Sequence, residues 1–333
     1  MNPRNLLALL TLVVLSLLVW ELRWVLLVLF GAVVLAVALD VPVTWLRRVT
    51  RLNRPAGLVV VLSVLAVGGW SLGQQLLPDL VEQATQLTQL VPALIARISQ
   101  LLGGVALLES LEKQLMAFAT WDKLQPLGTQ LLGVAGGAAN TSIQLLLMLL
   151  LALLLVLDPR SHQRLVLAAT PASYRPLMGD LLADCRQALG GWLAGMTISA
   201  TVVFLLTWAA LAALKVPLAL LSALVCGLLT FVPTIGPTLA TLLPLAVALL
   251  LSPTLALQVL VMRLLIQNGE AFVLTPILLS HTVNLLPTVA LMAQLSLGVL
   301  LGLPGVLLAL PLVVVLQVLC QRVLVEQIMD RWI

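Results

Sequence analysis

Charged residues are scarce in this chain. They make up 9% of its 333 residues, against roughly 25% in a soluble globular domain, so there is too little polar surface to cover a water-soluble fold. Aromatic residues are few as well, at 4% with a single tyrosine. Without stacking platforms, and with basic residues spread along the chain, the net charge of +4 is no nucleic-acid footprint. The three cysteines, Cys185, Cys226 and Cys320, form no CxxC pair, which argues against a disulfide framework and against a zinc site. His162 and His281 lie far apart in sequence and support a metal site only weakly. No HExxH, GxSxG or paired aspartates occur in the apolar runs, and no Walker A motif is present. An intramembrane enzyme is thereby disfavoured, as is ATP-driven pumping by this chain alone, and no cofactor is called for.

Apolar sequence is abundant instead. Hydrophobic residues make up 62% of the chain and fall in long runs, as in an all-α polytopic membrane protein whose solvent is the bilayer. Residues 6–20 and 24–39 are two such runs, parted by Glu21-Leu22-Arg23. Arg4 precedes the first as in a signal peptide, but no small-x-small cleavage site follows and a second run begins at once. Burying Glu21 and Arg23 at mid-membrane would be costly, so the two runs are expected to form a hairpin. Arg47, Arg48, Arg51 and Arg54 mark the next loop as cytoplasmic by the positive-inside rule.

A third span is expected over 56–77. An extracytoplasmic insert of amphipathic helices then follows over 78–137, with Leu80, Ala84, Leu87, Leu90, Leu94 and Ile98 at helical spacing. It serves either as a binding surface or as a solvated spacer. A fourth span covers 138–157, and Arg160, Arg164, Arg175 and Arg186 mark a second cytoplasmic segment, with a surface helix over 174–189. Further spans are expected over 192–214, 254–270, 287–301 and 304–320. Four regions result: N-terminal transmembrane helices (1–77), the insert (78–137), a transmembrane helix with a cytoplasmic helical segment (138–189), and a C-terminal transport core with two broken segments (190–333). The total is about eight transmembrane helices plus a re-entrant helical hairpin, with both termini cytoplasmic. Trp20, Trp24 and Trp45 suit anchoring at the membrane interface.

The hairpin is placed at Phe231-Val232-Pro233-Thr234-Ile235-Gly236-Pro237. Prolines and glycine interrupt an otherwise continuous apolar run, and a broken helix survives at membrane depth only where protein or a water-filled cavity satisfies its backbone. Pro233 and Pro244 are eleven residues apart, as are Pro276 and Pro287, and Thr241-Leu242-Leu243-Pro244 is similar to Asn284-Leu285-Leu286-Pro287. Paired interrupted segments point to a binding site between repeats. Coincidence in a leucine-rich chain with 18 prolines remains the alternative.

With these residues in view, the chain resembles the autoinducer-2 exporter (AI-2E) family of permeases. Phe231 to Pro237 resembles the family's F-I-P-x-I-G-P, Gln267 with Glu270 its Q-x-x-E, and Pro276 the proline after that glutamate. Gly302-Leu303-Pro304-Gly305 and Ala309-Leu310-Pro311 resemble its terminal G-x-x-G and A-x-P. The likeness is looser over 1–216, and Leu285-Leu286-Pro287 stands where the family often has Leu-His-Pro. The resemblance implies an eight-span protein of the cytoplasmic (inner) membrane and a homo-oligomer, with a pentamer as one assembly. It also implies export of a small solute or cation–proton exchange.

Arg263, Gln267 and Glu270, at i, i+4 and i+7, share one helix face. Ionisable residues in a span face the bundle interior or a water-filled cavity. Glu270 is therefore a candidate for proton or cation exchange, with Arg263 as its partner or as a substrate contact. The structural alternative is a buried ion pair bridged by Gln267. Thr234, Gly236 and Thr238 would offer hydroxyls and free carbonyls around Pro233 and Pro237, or only a tight turn. His281 and Asn284 are placed in a loop near the cytoplasmic face. Two functions compete: a secondary transporter for a small solute or ion, and a membrane scaffold that binds an envelope partner through the insert.

Overall fold

The computed structural model describes residues 20–101, 139–232, 235–279 and 286–323, together with 14, 17 and 18. Among them the chain is almost wholly helical, without strands. Its helices are α1 (Arg23–Thr50), α2 (Arg54–Leu101), α3 (Ala139–Leu157), α4 (Pro159–Ala169), α5 (Arg175–Ala213), α6 (Ala219–Leu229), α7 (Ile235–Leu251), α8 (Pro253–Gly269), a π-helical turn (Glu270–Leu274), α9 (Thr275–Leu279) and α10 (Pro287–Leu319). Among the described residues five helices are long and apolar enough to cross a membrane, with α10 taken as one, or six if the bent pair α3–α4 is one span.

Local signals set several of the boundaries. Asp158 accepts a hydrogen bond from Ser161 N (3.2 Å) and Pro159 opens α4, so α4 leaves α3 at 92°. The Ser161 hydrogen bonds also hold the Asp158 carboxyl below the usual carboxylate range. Ser252 caps α8 in the same way, accepting from Leu255 N at 3.1 Å ahead of Pro253.

Two expected boundaries are absent and a third lies at the edge of the described residues. At Glu21-Leu22-Arg23 the helix is interrupted at Leu22, the N-cap of α1, whose N–H donates to Leu18 O and whose carbonyl accepts from Leu26 N–H, both at 2.9 Å; most of the run 6–20 lies outside the described residues. Arg23 need not be buried: it donates to Trp20 O (2.9 Å) and lies 4.6 Å from the Trp20 ring centroid. The third span does not end at Pro78. α2 is one helix of 48 residues, about 72 Å long, far more than the roughly 30 Å hydrocarbon core. The first part of the insert, to Leu101, is therefore its continuation; residues 102–138 lie outside the described residues. Each internal proline removes one ladder bond, and the surrounding Leu, Gln and Ala favour helix strongly enough to carry on. The surface helix over 174–189 and the span over 192–214 are likewise one helix, α5, of 39 residues.

Among the described residues the buried apolar side chains form four clusters, three of them large. Ala32, Ala36, Leu39 and Val43 of α1 meet Leu58 and Val61 of α2 and Ala152 and Val156 of α3. The other side of α1 presents Val34 to Ala188, Leu189 and Trp192 of α5 and to Leu310 and Val314 of α10. Leu211, Val216, Leu218, Val247, Ala256 and Val259 join α5, α7 and α8, and Leu87 and Leu90 of α2 pack against them. Gln83 Oε1 accepts Leu221 N–H at 2.9 Å. It thereby satisfies a backbone donor at the start of α6, which has no side-chain cap of its own.

α10 is bent back on itself at Gly302. In a straight helix residues eight apart are about 12 Å distant, yet a Cβ on Gly298 would stand 2.9 Å from Val306 Cγ2, and one on Gly305 would collide with the Leu297 carbonyl. The two expected segments 287–301 and 304–320 are thus the two arms of a helical hairpin. Gly302 makes the turn with φ +65° and ψ −150°, a region open essentially to glycine alone. A Cβ there would touch nothing, so the cost of Gly302→Ala is purely conformational, about 1–3 kcal/mol. Thermal unfolding of the purified variant should show that loss; an unchanged Tm would mean that the arms do not turn here.

Candidate functional site

α5 and α8 run antiparallel, and a row of polar side chains lies between them. Near one end Arg263 of α8, 1% exposed, donates from Nη1 to Thr207 Oγ1 of α5 at 3.0 Å. About two turns away, Glu270 accepts from Ser199 Oγ of α5 at 2.8 Å and from Gln267 Nε2 at 3.0 Å. Two of the three residues expected on one face, Arg263 and Glu270, therefore meet a common partner helix, and Gln267 reaches Glu270. Arg263 and Glu270 do not form the buried ion pair of the structural alternative. Among the described residues no carboxylate lies within 4 Å of Arg263, and Gln267 serves Glu270 alone. The reason is axial distance: seven residues separate the two along α8, about 10 Å.

Arg263 is tied to the Pro-Thr-Ile-Gly-Pro break by a short relay. Its Nε donates to Thr241 Oγ1 of α7 (3.4 Å), whose hydroxyl donates to Pro237 O (2.9 Å). One hydroxyl can both accept and donate, so a single threonine links the buried cation to the carbonyl beside the break. Gly236 is buried against the end of α6, where a Cβ would collide with the Leu229 carbonyl. Cys226 of α6 meets α7 nearby, its thiol 3.4 Å from Ala240 O. Thr238 is exposed, as is Pro276 in α9. Pro233, Thr234, His281 and Asn284 lie outside the described residues.

Glu270 opens the π-helical turn, its N–H shared between Gln267 O and Ile266 O. Such turns often occur at functional sites. The turn inserts just where the helix presents its carboxylate.

Sequence reasoning missed Ser199, Thr207 and Thr241. Their only signal is a hydroxyl in an apolar helix, which more often bonds back to its own carbonyls. It also missed Gln294, 3% exposed, whose amide N and O are both buried without a partner among the described residues. Asp40 was missed too. Its carboxylate receives Arg54 on one oxygen and Arg186 on the other, while Arg54 Nε donates to Val156 O at 2.6 Å. α1, α2, α3 and α5 are joined at one end of the bundle in this way. Arg322, just past α10, reaches Asp184 at 2.8 Å at the same end, and Arg54 and Arg186, one from each arginine-rich segment, meet there at Asp40.

Thr207→Val removes the acceptor of a buried guanidinium and should lower stability by about 1–3 kcal/mol. Arg263→Met removes the cation itself and should be neutral or stabilising, because no carboxylate is left unpaired. In the double variant the Thr207 penalty should vanish. Thermal unfolding of all three would show it, and simple additivity would mean that the 3.0 Å contact contributes nothing.

Helices interrupted in mid-run, with hydrogen-bonded polar groups held inside an apolar bundle, define a multi-pass membrane protein of the transporter class. Residues 9–324 match the family model described as AI-2E family transporter, and the chain belongs to that family. Among its relatives are "Putative transport protein sll0063" and "Putative transport protein sll0060" of Synechocystis sp. The first is 26% identical over 307 residues, covering 86% of this chain and 74% of that protein. The second is 24% identical over 286 residues, covering 83% and 82%. "Putative transport protein YrrI" of Bacillus subtilis is 26% identical over 165 residues, and the match spans 50% of this chain and about half, 47%, of that protein.

Proposed function

We propose that the chain is a secondary transporter that couples movement of a small solute or cation to proton or ion exchange at Glu270. The observation that carries this reading is the hydrogen-bonded row Ser199–Glu270–Gln267 at a π-helical turn inside apolar helices. A carboxylate held by neutral donors alone has no fixed counter-ion among the described residues, and so remains available to a mobile one. Arg263, Thr241 and the Pro233–Thr238 break would form the other wall of the pathway, with α6 and α7 as the re-entrant hairpin. α6, at 11 residues or about 16 Å, is too short to cross. Pro276 follows the π-helical turn and would mark the second broken segment.

The same reading includes eight crossings, placement in the cytoplasmic (inner) membrane, both termini cytoplasmic and a homo-oligomer, with a pentamer as the assembly to test. Convergence of the arginine-rich segments at one end of the bundle supports the orientation.

Flux of a panel of small solutes and monovalent cations into vesicles holding the full chain, with and without an imposed pH gradient, tests the coupling. At least one member should move faster than in protein-free vesicles, and only with the gradient; flux indifferent to the gradient would end the coupled reading. For topology, cysteines placed at Gln100 and at Arg51 in a chain freed of its native cysteines should be labelled from outside only at the first. Labelling at position 51 in intact cells would reverse the orientation.

A further inference from the structure

At the basic end of the bundle, α1, α2, α3, α4, α5 and α10 line a half-open cavity of about 430 Å³, within the range of small-molecule sites. Phe30 and Val37 of α1, Leu181 and Leu189 of α5 and Val315 of α10 form its wall. Nothing on this wall hydrogen-bonds, so it suits hydrocarbon. Charge is confined to one side, where Arg54 and Arg186 share the single carboxylate of Asp40. Two guanidiniums against one carboxylate leave a positive excess. Arg47 and Arg160 lie near enough to add to the positive field at Arg54. His162 and Gln163 of α4 also line the cavity.

An apolar chamber with a cationic rim, set where the spans meet the interface, is complementary to one kind of molecule. We propose that this cavity binds an anionic phospholipid. One acyl chain lies along Phe30, Val37, Leu189 and Val315, and the phosphate is held by the Arg54–Arg186 rim. Arginine's planar fork of donors matches a phosphate, and basic pockets between spans recognise anionic headgroups. The site rests on the chain's membrane placement and is independent of what, if anything, it transports.

Full-length protein in a neutral maltoside detergent, titrated separately with dioleoyl phosphatidylglycerol, dioleoyl phosphatidylcholine and glycerol 3-phosphate, tests this. The readouts are Tm and bound lipid by native mass spectrometry. Phosphatidylglycerol should bind saturably and raise Tm, phosphatidylcholine should bind at least about fivefold more weakly, and glycerol 3-phosphate should do nothing. Arg186→Gln should weaken phosphatidylglycerol by about fivefold, the worth of one basic residue near an anionic headgroup. Val33→Trp, at a partly exposed position on the cavity wall, should weaken it by filling the chamber. Equal binding of the two lipids, or an equal Tm rise from glycerol 3-phosphate alone, would overturn the proposal. So would phosphatidylglycerol binding untouched by either variant, or a Val33→Trp chain that changes oligomeric state while the parent binds no lipid. If Arg186→Gln does not fold, the lipid comparison on the parent and the Val33→Trp variant still decide.

Discussion

Replacing Glu270 with glutamine should bring gradient-driven flux down to the level of protein-free vesicles while the protein still assembles. The carboxylate accepts from Ser199 Oγ at 2.8 Å and from Gln267 Nε2 at 3.0 Å. A glutamine offers one acceptor and one donor in the same shape. Ser199 can turn its hydroxyl to accept, and Gln267 can reverse its amide, so both contacts can be remade. Stability should therefore change by less than about 1 kcal/mol, the net worth of one hydrogen bond, whereas the exchangeable charge is gone. Because Arg263 has its own partners on Thr207 and Thr241, the substitution does not strand a buried cation. A merely structural glutamate would behave differently: flux and its response to the gradient would persist in Glu270→Gln. That outcome would remove Glu270 from the coupling role. Ser199→Ala is the graded companion; it removes one donor and leaves the charge, so it should slow flux without abolishing its dependence on the gradient.

Asp40→Asn should be the most damaging single change to stability, lowering it by about 3 kcal/mol. One carboxylate, 10% exposed, receives guanidiniums from both α2 and α5. Its removal leaves two cations facing each other at the only described point where α1, α2, α3 and α5 are linked through polar groups. The Arg186 side chain, 41% exposed, can swing into water, which keeps the loss at the lower end of the range for buried pairs. The ion pair of Arg322 with Asp184 is the control. Its side chains are 42% and 32% exposed, so Asp184→Asn should cost about 0–1 kcal/mol. Equal effects of the two substitutions in thermal unfolding would mean that burial is not what gives Asp40 its weight.

The boundaries expected from the sequence and those in the structure differ in a consistent way. Where a boundary depends on a side chain bonding its own backbone, as at Asp158-Pro159 and Ser252-Pro253, local chemistry suffices and the expectation stands. Where it depends on a proline interrupting an apolar run, as at Pro78, the helix continues. One lost ladder bond at Pro78 is small beside the rest of α2. Gly302 and Pro304 lie between the two, since their spacing marks a break but not that the arms fold back.

The sequence by itself determined the class of protein, because hydropathy and charge content are properties of the chain before it folds. It also determined which face of α8 carries Arg263, Gln267 and Glu270, since a 3.6-residue period needs no neighbours. Only the tertiary structure decided what that face meets. Ser199, Thr207 and Thr241 stand on other helices, and the helices approach where Gly and Ala let them, as at Gly227, where a Cβ would stand 3.0 Å from Ala200 O. It likewise decided that Arg263 and Glu270 have separate partners and that Asp40 gathers two arginines, one of them 146 residues distant. Pairings between polar groups in an apolar bundle follow from which helices pack side by side, and sequence separation carries no record of that.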